Sequence, residues 1–190
     1  MTQSESGSEL RTLVLYWSAT GNTKKVANTI EKALTAQGIQ PVIKTVTDAA
    51  EEDFYNYNLI FLGVPSYQFQ PPEPVQHFLN EKMRFHRDRG DIKLCAPRIP
   101  GKTAVIFCTY SGPHTGIREA TPVGEYIEQF FEHIGIGVAA KWYIVGEFHN
   151  REELSTRGML GDIRGRPNEQ DLAEVTSNVT TLISSLRSAS

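Results

Sequence analysis

Residues 18–23, Ser18-Ala19-Thr20-Gly21-Asn22-Thr23, bring three side-chain hydroxyls, an amide and consecutive backbone N–H groups together around one glycine. Glycine takes the left-handed conformation that curls a chain around an anion, and such a turn leads N–H groups and hydroxyls into the start of a helix. The chemistry expected here is capture of a phosphate, for which the loop itself needs no charged side chain. A plain helix cap by Thr20 or Asn22 would use similar residues, but it leaves the spacing of the hydroxyls behind an apolar run unexplained. No segment supplies the glycine frame ending in Gly-Lys-Ser/Thr that a nucleoside triphosphate needs. Gly135-Ile136-Gly137-Val138-Ala139-Ala140 fits a loose dinucleotide pattern. It leaves a helix and enters a strand, the reverse of the required order, and reads as a helix stop.

Two more stretches combine turn formers with aromatic and polar groups: "PSYQFQPPEP", residues 65–74, and "YSGPHTG", residues 110–116. His114 lies in the second and reads more readily as a solvated loop histidine than as a ligand contact. Lys24 and Lys25 open the helix behind the first stretch, where the macrodipole disfavours positive charge, so one of them is expected to add charge to the phosphate site. Arg84, His86, Arg87 and Arg89 are interrupted by Asp88 and Asp91 and read as a solvated loop rather than a nucleic-acid patch. Cys95 and Cys108 make neither a disulfide framework nor a metal motif, and Cys108 sits in an apolar run as a buried thiol.

These stretches need elements to hold them. Apolar runs at residues 13–17, 41–46, 59–64, 103–109 and 138–145 predict strands, and helical spacing predicts helices over 23–38, 75–83, 123–134 and 169–186. Strands alternating with helices imply an α/β protein, a doubly wound five-stranded parallel sheet with helices on both faces. Residues 1–10 are expected to be a flexible tail and residues 11–188 one domain, with irregular excursions at 84–102 and 146–168. The stretches 18–23, 65–74 and 110–116 follow the first, third and fourth strands, which places them at the carboxyl ends where ligands bind in such sheets.

The chain has 190 residues, 39 % hydrophobic and 22 % charged, with a formal charge of −3. That length suits one core, and that charge offers no field to draw in nucleic acid or an anionic membrane. Residues 1–9 lack an apolar leader and no run reaches spanning length, so the expectation is a cytoplasmic protein without membrane insertion.

Ser18-x-Thr20-Gly21-x-Thr23 behind a first strand resembles the phosphate loop of the flavodoxins, which bind FMN. "LIFLGVPSYQFQ" resembles the family's third strand and the loop after it, and "VIFCTYSGPHTG" its fourth strand and second flavin loop. The resemblance implies strand order 2-1-3-4-5 and FMN as cofactor. It also implies a cofactor site made of Ser18, Ala19, Thr20, Gly21, Asn22, Thr23, Pro65, Ser66, Tyr67, Gln68, Phe69, Thr109, Tyr110, Ser111 and Gly112. Tyr67, Phe69 and Tyr110 are candidate walls for the isoalloxazine, and the backbone of residues 66–68 and 109–112 faces its polar edge. The function implied is a carrier of single electrons between redox partner proteins, a reductase and an acceptor, with no catalytic residue. The Arg-Pro-x-x-x-x-Leu pattern of residues 166–172 resembles instead the NAD(P)H:quinone oxidoreductases of the same fold, which form tetramers. It keeps open an enzyme that takes hydride from a nicotinamide nucleotide, and it leaves monomer or homo-oligomer undecided.

Overall fold

The computed structural model of the chain describes residues 10–188, so the expected tail lies outside the described residues apart from Leu10. The strands are β1 (Thr12–Tyr16), β2 (Val42–Thr45), β3 (Leu59–Pro65), β4 (Thr103–Tyr110) and β5 (Gly137–Val145). They form a five-stranded sheet in the order β2-β1-β3-β4-β5, parallel at every pairing. The helices are α1 (Asn22–Ala36), α2 (Glu73–Asp88), α3 (Thr121–His133), a short α4 (Glu152–Thr156) and α5 (Glu169–Ser188).

Successive side chains of a strand point to opposite faces, and the core divides accordingly. Leu13, Leu15, Ile60, Leu62 and Ile106 pack with Phe78 of α2 and with Phe130 and Phe131 of α3. Their neighbours Val14, Phe61, Val105 and Phe107 pack on the other face with Ile30 of α1 and with Val179 and Ile183 of α5. Gly63 in β3 is required by this packing, because a Cβ there would lie 1.9 Å from the Phe107 ring.

The first excursion begins later than its charged composition predicts. Helix α2 runs on to Asp88, since its inward stripe is Val75, Phe78, Leu79, Lys82 and His86, all buried. Lysine and histidine at the last two of those positions hide the apolar period from sequence inspection. His86 is no solvated loop residue: it is 0 % exposed and its ring lies 4.6 Å from that of Tyr55. The second excursion is built rather than loose. Asn168 and Asp171 cap the start of α5 reciprocally, Asn168 Oδ1 accepting from Asp171 N and Asp171 Oδ2 from Asn168 N. Arg166 pairs with the same carboxylate. Among the described residues no helix is long and apolar enough to cross a membrane.

Candidate functional site

The loop after β1 turns on its glycine into α1. Gly21 takes φ 101° and stands as the N-cap of α1 with no side-chain cap, and the first turn of α1 carries no acidic residue. A helix N-terminus left uncapped by its own chain keeps N–H groups and partial positive charge for an anion. Capping by Thr20 or Asn22 is therefore not what these residues do. Ser18 Oγ accepts from Gly21 N at 3.1 Å and tightens the turn. Thr23 is buried, its Oγ1 2.8 Å from Thr109 Oγ1, so it ties this loop to β4. Asn22 donates from Nδ2 to Glu147 O at 3.0 Å and holds the far wall. Neither lysine reaches the cavity as expected: Lys25 Nζ donates to Pro167 O at 3.0 Å, and Lys24 is exposed outside it.

After β3, Tyr67 and Gln70 exchange backbone hydrogen bonds of 3.0 Å each, closing a two-residue turn on Gln68 (φ 49°) and Phe69 (φ 67°). Both are in the left-handed region, which costs a side chain such as phenylalanine strain. The turn lifts its aromatics into the open: Tyr67 is 44 % and Phe69 55 % exposed. Tyr67 stands edge-on to Trp17, centroids 5.7 Å apart, and burial of part of its ring raises its hydroxyl pKa. Ser66 Oγ donates to Glu119 O, and Ser66 N to Thr109 O at 2.9 Å.

The loop after β4 turns on Gly112 (φ 48°), where a Cβ would meet Gly116 O at 2.6 Å. Glu119 Oε1 accepts from the backbone N–H groups of His114 and Thr115, while Ser111 Oγ donates to Gly146 O at 2.8 Å. Tyr110 borders the cavity from within the core. At 9 % exposure its ring belongs to the core, and burial raises its pKa.

Together these loops line a cavity of about 780 Å³ at the carboxyl edge of the sheet. Every residue expected for the site borders it except Gly21, whose part is to turn the chain. A fourth wall was not expected: residues 146–149 with Arg151 and Leu154, entering after β5. The signal was available, because the rule that ligands gather beyond strand ends applies to the fifth strand as much as to the first.

A doubly wound parallel sheet with an uncapped helix start and open aromatics on one carboxyl-edge cavity defines a nucleotide-cofactor protein. The family model described as Flavodoxin matches residues 14–112, and the chain belongs to that family. Flavodoxins are FMN-binding electron-transfer proteins. A flavodoxin of Megasphaera elsdenii is 29 % identical over 99 residues, which span 51 % of this chain and 63 % of that protein. In fold the chain is similar to a flavodoxin from the domain Archaea, with TM-score 0.62, 15 % identity, and coverage of 93 % of this chain and 99 % of that one. Oxidised Flavodoxin 1 from Bacillus cereus also superposes with TM-score 0.62, at 12 % identity over 92 % of this chain and 97 % of that one. The family match ends before residues 166–172, whose pattern suggested a quinone reductase, and Arg166 there is engaged with Asp171.

Proposed function

We propose that the chain holds FMN in the carboxyl-edge cavity and carries single electrons between redox partner proteins in the cytoplasm, with residues 11–188 as one working unit. The observation that carries this reading is the pairing, in one cavity, of the uncapped start of α1 with exposed Tyr67 and Phe69. The residues present fit the group. Ser18 to Thr23 suit its phosphate, and the open aromatics suit the flat ring. The backbone of residues 66–68 and 109–112 suits the polar edge, with Tyr110 supporting from beneath. FMN supplies the electron chemistry; the protein binds it, orients it and shapes the field around it. The exposed rim at Phe69 gives a protein partner direct approach, and electron transfer of this kind needs no acid or base.

Expression in flavin-replete cells should yield yellow protein with FMN as the flavin released on denaturation. Anaerobic NADPH should leave the absorbance unchanged, whereas dithionite should reduce the protein in two one-electron stages. Rapid bleaching by NADPH would move the assignment to the hydride-accepting enzyme, and colourless protein that takes up no added FMN would end both readings.

A further inference from the structure

Asn22 opens α1, yet both ends of its side chain are committed to the segment after β5. Nδ2 donates to Glu147 O at 3.0 Å, and Oδ1 lies 3.2 Å from His149 Nε2, which donates to it. Gly146 makes room for this contact, since a Cβ there would stand 2.7 Å from Asn22 Nδ2. Residues 146–151 are thus strapped across the first turn of the helix that starts the phosphate loop's anion site.

The strap is fixed from its other side as well. Glu147 N donates to Arg166 O at 2.8 Å, and Glu147 Oε2 accepts from Gly165 N at 2.8 Å. Phe148 N donates at 2.9 Å to the hydroxyl of Ser155, which is 1 % exposed. Asn150 at φ 65° reverses the chain directly after His149. A segment held by this many bonds presents its remaining side chains in defined positions.

Two of those side chains are basic. His149 and Arg151 border the same cavity as Ser18 and Thr20, and among the described residues Arg151 has no ion pair. The acidic groups of the cavity are engaged elsewhere: Glu147 with Gly165 N, and Glu119 with the N–H groups of His114 and Thr115. Lys25 is committed to Pro167 O.

We propose that His149 and Arg151 form an outer wall of the phosphate subsite, with the Arg151 guanidinium as its cation, so that this chain selects a flavin bearing a phosphomonoester dianion by charge as well as by loop N–H groups. Asn22 is the positioning residue that aims His149. The proposal rests on the FMN reading. It differs from the expectation that Lys24 or Lys25 supplies that charge, because the charge arrives from a distant part of the chain.

The test is titration of the full-length apoprotein with FMN and with riboflavin at low and high salt, followed by flavin fluorescence. In the double variant His149→Gln, Arg151→Gln, FMN affinity should fall on the order of tenfold to a hundredfold, as expected for lost charge-assisted contacts. Riboflavin affinity should stay unchanged, and the salt dependence of FMN binding should shrink with the lost charge. Asn22→Ala should lower FMN affinity less, also without touching riboflavin. An unchanged FMN-to-riboflavin ratio in the double variant overturns the proposal while leaving FMN binding intact. Equal loss for both flavins with a lowered thermal midpoint overturns it too, by making the strap merely structural. If the wild type binds neither flavin, this proposal and the FMN reading fall together.

Discussion

The two ends of the sheet hold similar residue types in opposite conditions. At the amino edge, Asp53 accepts from Arg89 and from Tyr55 N, Arg89 Nε lies 3.0 Å from Asp91, and Asp91 lies 2.9 Å from His86 Nδ1. Lys102 donates to Tyr55 O and Tyr57 O, and Lys82, buried among Phe54, Phe78 and Phe85, donates to Ala50 O and Glu52 O at 2.6 Å each. This is a dense charge cluster, and it is closed on itself. His86 Nε2, buried among aromatic rings, has no hydrogen-bond partner among the described residues. At the carboxyl edge, by contrast, helix N–H groups, aromatic faces and Arg151 are left facing a cavity. Charges committed to one another thus mark structure here, and uncommitted donors mark function.

That contrast predicts a separation of effects. Lys82→Met keeps the stem's volume but strips two buried carbonyls of their donor, so stability should fall by about 2–3 kcal/mol. Urea unfolding measures the loss, and FMN affinity of the folded fraction should stay within about twofold, the sense of the contrast. Affinity falling in step with stability would mean the two edges are coupled through the sheet.

The mirror experiment is Thr20→Val on the exposed phosphate loop. Its hydroxyl has no hydrogen bond inside the chain among the described residues, so stability should hold. FMN affinity should weaken by roughly tenfold, the worth of about 1.4 kcal/mol of lost donation. A stability loss without an affinity loss would place Thr20 with the scaffold.

Legibility in the sequence follows the same line between the edges. Strand and helix placement and the loops after β1, β3 and β4 are readable, because apolar period and local turn chemistry are properties of short stretches, whereas strand order followed from the resemblance to the flavodoxins. His86 was misread as solvated and the burial of Lys82 was not foreseen, since Lys82 depends on the carbonyls of residues 50 and 52 and His86 packs on the rings of Phe54 and Tyr55, all brought in by the segment before β3. The 146–151 wall escaped for a related reason. Asn22 and Glu147 are 125 positions apart, and no local pattern announces a contact at that separation. Tyr110 shows the limit within a correctly placed loop: the position was right, but which way the ring turns is decided by the core beneath it.

Acid should expose both edges, with a smaller effect. Burial pushes Asp53 and Asp171 up, but Arg89 with Tyr55 N–H at one, and Arg166 with Asn168 N–H at the other, outweigh it and hold both below the usual aspartate range. A carboxylate with a lowered folded pKa adds stability above its unfolded value near 3.9, and that stability is lost as pH falls through the folded value. Stability should therefore be level from about pH 7 to 5 and decline below about pH 4. Asp53→Asn and Asp171→Asn should each cost about 1 kcal/mol at neutral pH and flatten that decline. They should differ in one respect. Asp171 anchors Arg166, whose carbonyl holds the strap at Glu147 N, so only Asp171→Asn should also weaken FMN.

The smallest effect sharpens the contrast within one segment. Arg164 and Arg151 both lie between β5 and α5, but Arg164 turns outward to Asp162 and Glu152. Its hydrogen bonds hold the Asp162 carboxyl down to about 2, well below the usual range. Both side chains lie on the exposed surface, however, where screening and side-chain entropy cancel most of what the pair gains. Arg164→Ala should leave the thermal midpoint and the FMN dissociation constant where they are in the wild type. Arg151→Ala, removing the same charge from the same segment, should weaken FMN alone. Equal behaviour of the two variants would show that the net charge of the segment, rather than the direction in which each arginine faces, governs binding.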